Sequence, residues 1–186
     1  MSRTESVMLD LGTSAPGFAL PDVVSGRLVT LQDFADKEVL LVMFICAHCP
    51  YVIHVQDEIA FLARDYAKKS VAFVAISAND AAAYPADSPS GLRAQAAQLG
   101  FTFPYCHDES QAVARAYHAQ CTPEFYVFNR ERRLVYRGQL DDSRRNLPIP
   151  VTGRDVRTAI DNTLAGLAVD PNQRPSIGCN IKWKPE

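Results

Sequence analysis

Cys46 and Cys49 stand three residues apart in Cys46-Ala47-His48-Cys49-Pro50, and they are the one pair among five cysteines that is close in sequence. Two thiols at this spacing can meet across one turn of chain and cycle between dithiol and disulfide. The thiolate is the attacking species, so anything that lowers a thiol pKa sharpens the chemistry. An apolar run, residues 39–45, ends at Cys46, and a helical period follows, with Val52, Val55, Ile59, Leu62 and Tyr66 on one stripe. The expectation is that Cys46 lies near the helix N-cap, with Cys49 at the third helical position on the same face. The free N–H groups of the first turn then favour a Cys46 thiolate, and an imidazolium at His48 depresses its pKa further. A low-pKa thiol also leaves well, which moves the pair toward an oxidising poise. Pro50, at the fourth helical position, lacks the N–H that would bond the Cys46 carbonyl and loosens the turn. Cys49, deeper in the helix, is the natural resolving thiol.

The elements that must position this pair can be read from the pattern. Residues 17–20 and 27–31 alternate around Val24-Ser25-Gly26 and predict an N-terminal β-hairpin. The run 39–45 reads as a strand covered on both faces, as in the middle of a parallel sheet. With the helix after it and a second buried strand over 71–77, it makes a β–α–β unit. Residues 79–90 read as an exposed loop, followed by a short helix to Leu99, a strand over 101–106, and a helix over 108–117 capped by Asp108. Strands over 125–128 and 134–138 form a hairpin at a sheet edge. Thr152 caps a last helix with apolar positions Val156, Ile160, Leu164 and Leu167. The fold class is α/β: a mixed central sheet with helices on both faces, a helical insertion and a C-terminal tail. One domain over residues 1–186 is expected, with residues 168–186 as a tail packed on it.

Bulk properties exclude some classes. A formal net charge of −2 and a pI near 6.1 offer no reason to bind nucleic acid or an anionic membrane. The apolar run at 39–45 is too short to span a bilayer. Residues 1–11 lack the apolar core of a secretory signal, so a cytosolic location is expected, and there structural disulfides are disfavoured. Thr122-Pro123 precedes a strand, where a proline cannot join a central ladder. Cys106 and Cys121 read as small core residues, and Cys179 as an inert tail thiol or a third redox thiol exchanging with Cys46. Tyr51 and Glu124 are candidates to flank the site; Glu124 either assists proton transfer to Cys49 or is a solvated strand-end charge. His54 and His118 read as surface histidines, and Trp183 as an anchor for the tail. No second Cys/His pair completes a zinc site, since Cys106, His107 and Cys121 would have to be gathered by folding. A copper site would use Cys46, Cys49 and a remote histidine such as His118.

The order strand, Cys-x-x-Cys at a helix start, Thr-Pro and hairpin resembles the thioredoxin fold. The opening Gly12-Thr13-Ser14-Ala15-Pro16-Gly17-Phe18-Ala19-Leu20-Pro21 resembles the redoxin branch, which includes the AhpC/TSA peroxiredoxins and the TlpA/ResA group. Cys46-Ala47-His48-Cys49-Pro50-Tyr51-Val52, Tyr136-Arg137-Gly138 with Asp141-Asp142, and residues 178–184 resemble a bacterial set within that branch. The resemblance implies Cys46 as nucleophile, Cys49 as resolving thiol and Pro123 as a cis-proline. That would set the Thr122 backbone beside the pair, ready to meet an extended substrate. It implies a thiol–disulfide oxidoreductase without a bound cofactor, acting on protein or small-molecule disulfides and supplied by a dithiol reductant protein. The Pro-x-x-x-Thr/Ser-x-x-Cys pattern of peroxiredoxins is missing, so an antioxidant thiol peroxidase is the alternative within enzymes. A metal-binding or redox-sensing module is the alternative outside them.

Overall fold

The computed structural model describes residues 3–185; residues 1, 2 and 186, the ends of the expected single domain, lie outside the described residues. In chain order the strands and helices are β1 (Arg3–Glu5), β2 (Ala19–Pro21), β3 (Leu28–Thr30), β4 (Val39–Phe44), α1 (Pro50–Asp65), β5 (Val71–Ser77), α2 (Pro89–Leu99), β6 (Tyr105–His107), α3 (Ala112–Ala116), β7 (Cys121–Thr122), β8 (Glu124–Phe128), β9 (Leu134–Gly138), α4 (Arg154–Leu164) and β10 (Ile177–Asn180). Five strands make a mixed sheet in the order β6-β5-β4-β8-β9. β4 runs parallel to β5 and antiparallel to β8. β2 and β3 form the N-terminal hairpin, and β1, β10 and β7 form a separate three-stranded sheet.

β4 is central and fully buried, which is why its sequence does not alternate polar and apolar. Its pleat sends Val39, Leu41 and Met43 into a core shared with Val52, Val55, Ile59 and Leu62 of α1 and Val156 and Ile160 of α4. Leu40, Val42 and Phe44 face the other way, onto Tyr117, Tyr126 and the β2–β3 hairpin. Burying each of these side chains stabilises the sheet by roughly 1.5–3 kcal/mol. That two-sided packing fixes where β4 ends, and therefore where Cys46 begins.

Several expectations are corrected. Residues 79–90 are an exposed loop only in part: residues 82, 83, 85, 86, 89 and 90 are exposed, but Asn79, Asp80 and Asp87 are buried, because the segment folds back onto the end of β4. The helix expected over 108–117 is one short turn-and-a-half, Ala112–Ala116, since the Asp108 carboxylate instead caps it from a distance by accepting from the Ala114 N–H at 2.8 Å. Gly153, not Thr152, precedes α4, and α4 stops at Leu164, leaving Leu167 exposed. Glu124 is neither solvated nor available for proton transfer. It accepts from Arg137 Nη2 at 2.6 Å and Nε at 3.0 Å, and from the Gln120 N–H at 2.9 Å. Both partners are fully buried.

That ion pair supports the β7–β8 junction next to Pro123. Arg137→Met leaves an uncompensated carboxylate in the core and is expected to cost about 3–5 kcal/mol by urea unfolding. Adding Glu124→Gln, which keeps an acceptor for the Gln120 N–H, is expected to recover part of that loss.

Candidate functional site

Residues 45–49 carry the chain from β4 to α1 without belonging to either. Cys49 is the N-cap, with φ −71° and ψ 121°, and Pro50 is the first helical residue. The Cys49 carbonyl takes the first helical hydrogen bond, from the Ile53 N–H at 3.0 Å. The helix therefore starts later than expected, and Pro50 breaks nothing: at this position its missing N–H would have had no helical partner. The same shift moves the helix terminus from Cys46 to Cys49.

The turn before α1 needs acceptors for its own N–H groups. Asp87, fully buried, supplies them. Its Oδ1 accepts from Ala47 N–H at 2.8 Å and His48 N–H at 3.1 Å. Its Oδ2 lies 2.5 Å from His48 Nδ1 and accepts from Asn79 Nδ2 at 2.7 Å. The His48 ring is stacked on Tyr84, centroids 5.0 Å apart. The Cys46 carbonyl accepts from Gln95 Nε2 at 3.4 Å.

Thr122-Pro123 is a cis peptide, and Thr122 faces both sulfurs. Its Oγ1 lies 3.4 Å from Cys46 Sγ, and its carbonyl accepts from Cys49 Sγ at 3.2 Å. Tyr51, His54 and Pro123 line a small cleft beside the pair, together with Phe125, Arg144 and Arg145. His54 is thus half-buried in a cleft wall rather than a plain surface residue.

The charge distribution differs from the expected one. Cys46 is held well above the ordinary thiol range, because its S–H donates to Cys49, because it is buried, and because Asp87 opposes a second negative charge. Cys49 is pulled down to about 4, chiefly by the hydrogen bond from Cys46, with further help from Cys179, Thr122 and the Val52 N–H. In the full dithiol the Cys49 S–H donates to the Thr122 carbonyl. The expected low-pKa thiol at Cys46 is corrected on two grounds. The helix N–H groups face Cys49, and His48 is turned to Asp87, so any positive charge it carries is met by that carboxylate.

The remaining cysteines separate clearly. Burial pushes the Cys106 thiol up to about 12 and Cys121 higher, and both are core residues. Cys179 is brought to the site: it sits opposite Thr122 and shares a buried cluster with Cys46 and Cys49, and Cys49 is the cysteine that raises its thiol pKa. Trp183 packs on the second core under the Arg115 guanidinium, 4.5 Å from its ring centroid. Among the described residues, ligand atoms of Cys46, His48 and Asp87 lie within 4.8 Å of one another, the separation a metal ion would need. The four hydrogen bonds already on Asp87 compete with that use. Cys106, His107, Cys121 and His118 are not drawn into the group; the His118 carbonyl serves Arg137 instead.

Sequence reasoning missed Asp87, Asn79, Tyr84 and Gln95. The signal that could have found Asn79 is its place just beyond the carboxyl end of β5, the end of a parallel strand where α/β sites gather. Asp87 sits in a stretch whose Ala, Pro and Ser content gives no such sign.

The fold and site together define a thioredoxin-fold protein with a paired-thiol centre. The Redoxin family model matches residues 10–155, and the chain belongs to that family. It is similar to the crystal structure of an uncharacterised conserved protein from Geobacillus kaustophilus, at 54% identity over 100% of this chain and 98% of that one, with a TM-score of 0.98. A hypothetical protein from Sinorhizobium meliloti 1021 is 48% identical over 98% and 100%, with a TM-score of 0.96. A structure described as a DsbE-type thiol:disulfide interchange protein from Chlorobium tepidum shares the fold, at 20% identity over 84% and 99% and a TM-score of 0.65. A search of curated proteins finds no match.

Asp87→Asn removes the charge that opposes the Cys46 thiolate. The expected result is a lower Cys46 pKa, seen as site-resolved alkylation of Cys46 rising at lower pH than in the wild type; an unmoved profile would contradict the assignment to Asp87.

Proposed function

We propose that this protein is a thiol–disulfide oxidoreductase of the cytosol, working through the Cys46–Cys49 pair. The observation that carries the reading is the placement of both sulfurs on the residue before the cis-proline: Cys46 Sγ lies 3.4 Å from Thr122 Oγ1, and Cys49 Sγ donates to the Thr122 carbonyl at 3.2 Å. Redoxin membership supports the general oxidoreductase class. The Chlorobium tepidum neighbour is described as acting in thiol–disulfide interchange, which supports protein disulfides as the substrate class.

The chemistry follows from where the proton sits. Cys46 attacks a substrate disulfide as its proton passes to the Cys49 thiolate. A bond forms between Cys46 and one substrate sulfur, the substrate disulfide breaks, and the other substrate sulfur leaves as a thiolate. Cys49 then attacks the Cys46 sulfur of the mixed disulfide, and its proton goes to the departing substrate thiol. Two electrons pass from the pair to the substrate, and a dithiol reductant protein returns them by the reverse exchange. Both sulfurs are fully covered in the resting structure, so a substrate gains access by displacing what lies over them. Peroxidase chemistry and disulfide exchange both need a thiolate to attack; the Thr or Ser that peroxiredoxins carry three residues before the cysteine is replaced here by Met43, which favours disulfide exchange.

Purified protein with a small dithiol as donor is expected to reduce insulin disulfides. Cys46→Ser is expected to fall to the uncatalysed rate, and Cys49→Ser to accumulate a mixed disulfide through Cys46. Wild-type activity no better than Cys46→Ser would overturn the reading. Peroxide consumption that requires Cys46 and outpaces disulfide reduction would move the assignment to a thiol peroxidase.

A further inference from the structure

The tail strand β10 occupies an informative place. It runs antiparallel between β1 and β7, with Cys179 opposite Thr122 and Asn180 opposite Cys121. Thr122 is the residue before Pro123, whose backbone was expected to await an extended substrate. The protein has filled that edge with its own chain. Gly178 makes the approach possible: a Cβ there would come within 2.0 Å of the Thr122 carbonyl oxygen. The tail is tied down beyond the strand as well. Lys182 N–H donates to Asn79 Oδ1 at 2.8 Å, and the Lys182 carbonyl accepts from Gln111 Nε2 at 2.9 Å. Asn79 in turn donates to Asp87, so the tail and the turn before α1 are held in one network.

This docking puts a third thiol on the pair. Cys46, Cys49 and Cys179 share one buried cluster, with Cys179 opposite Thr122 and the Cys49 sulfur 3.2 Å from the Thr122 carbonyl; Cys46 and Cys179 both act on the Cys49 thiol, which makes Cys49 the central sulfur. Cys121, next to Thr122, does not join them; its sulfur turns to the Pro123 carbonyl at 3.9 Å. Three sulfurs with one in the middle are arranged for exchange, since a thiol displaces one sulfur of a disulfide by attacking the other.

We propose that Cys179 is a third redox thiol, which takes the disulfide from Cys46–Cys49 as a Cys49–Cys179 bond and restores Cys46 as a thiol. The inference rests on the oxidoreductase reading above, which supplies the Cys46–Cys49 disulfide. The step balances. Cys179 attacks the Cys49 sulfur, the Cys49–Cys179 bond forms, the Cys46–Cys49 bond breaks, and the proton lost by Cys179 ends on Cys46. No electrons are gained or lost overall. The order of events follows from electrostatics. Burial, with the adjoining Cys49, pushes the Cys179 thiol up to about 12 in the reduced protein. Once Cys49 is in a disulfide it carries no charge, and its contribution to that rise disappears. The product state links β10 covalently to the N-cap of α1, closing over the Thr122 edge while leaving the Cys46 thiol opposite Asp87.

The test is disulfide mapping of the full-length wild-type protein, oxidised with one equivalent of diamide, acid-quenched, alkylated and digested without reductant. Cys46–Cys49 and Cys49–Cys179 linkages are expected together, within a ratio of about ten, which corresponds to about 30 mV. Chains carrying Cys49–Cys179 are expected to have Cys46 alkylated, and Cys179→Ser to abolish that species. A wild-type protein that forms Cys46–Cys49 and no Cys49–Cys179 overturns the relay and leaves the oxidoreductase reading standing. A protein that forms neither linkage overturns that reading, and the relay with it.

Discussion

The buried carboxylate of Asp87 is the interaction on which the site depends. The chain between β4 and α1 must turn within residues 45–49, and the N–H groups of Ala47 and His48 find no helical partner there, because α1 begins only at Pro50. A buried N–H without an acceptor costs about 1–3 kcal/mol. Asp87 accepts both, and its second oxygen meets His48 Nδ1 and Asn79. A fully buried carboxylate is tolerated only when hydrogen bonds replace its water. The same four bonds that make Asp87 tolerable therefore define the turn. That turn aims Cys46 at Thr122 and presents Cys49 to the helix terminus.

Around this anchor the packing sets distances. β4 cannot slip in register without moving Leu40, Val42 and Phe44 out of one core and Leu41 and Met43 out of the other. β8 pairs antiparallel with β4, Phe44 opposite Glu124. Pro123, one residue before that contact, is thus carried to the end of β4 where the cysteines lie. The Glu124–Arg137 pair holds the junction from below. Lys182 and Asn79 close the circle from the tail. Each sulfur contact at the centre is the result of two or more of these supports, none of which involves a cysteine.

The parts legible in the sequence were those carried by pattern. The all-apolar run at 39–45 marks a strand buried on both faces, and Val52, Val55, Ile59 and Leu62 mark the helix face it packs against. The nearness of Cys46, Cys49 and Thr122-Pro123 follows once the fold class is recognised. What was not legible depends on tertiary partners. Pro50 is compatible with either the first or the fourth helical position, and only the Asp87 bonds to Ala47 and His48 decide for the first. Residues 79–90 have the composition of a solvated loop, and the burial of Asn79 and Asp87 within them comes from groups remote in sequence: the turn before α1 and the tail. Asp87 was hidden because a buried acid is rare without partners, and its partners are mostly backbone N–H groups, which every sequence possesses. Glu124 was misread for the same reason, its guanidinium partner lying thirteen residues away on the neighbouring strand.

Moving the helix terminus by three residues also redistributes the redox chemistry. With the terminus at Cys46, His48 and the helix would both stabilise a thiolate there. In the structure His48 is engaged by Asp87, and Asp87 itself opposes charge on Cys46. The stabilising donors converge instead on Cys49: Cys46, Cys179, Thr122 and the Val52 N–H. A thiolate stabilised in the reduced state makes the disulfide easier to reduce, whichever cysteine carries the charge. The thiolate stabilisation expected at Cys46 from His48 falls on Cys49 instead, through a different set of donors. The division of labour that results is a proton on Cys46 and a charge on Cys49. In the proposed exchange, the sulfur that pairs with substrate begins as a thiol, and the sulfur that must wait begins as its base. Asp87 enforces this order because it can favour a proton on Cys46 without touching Cys49, and that is the physical reason a carboxylate, rather than an amide, suits the position.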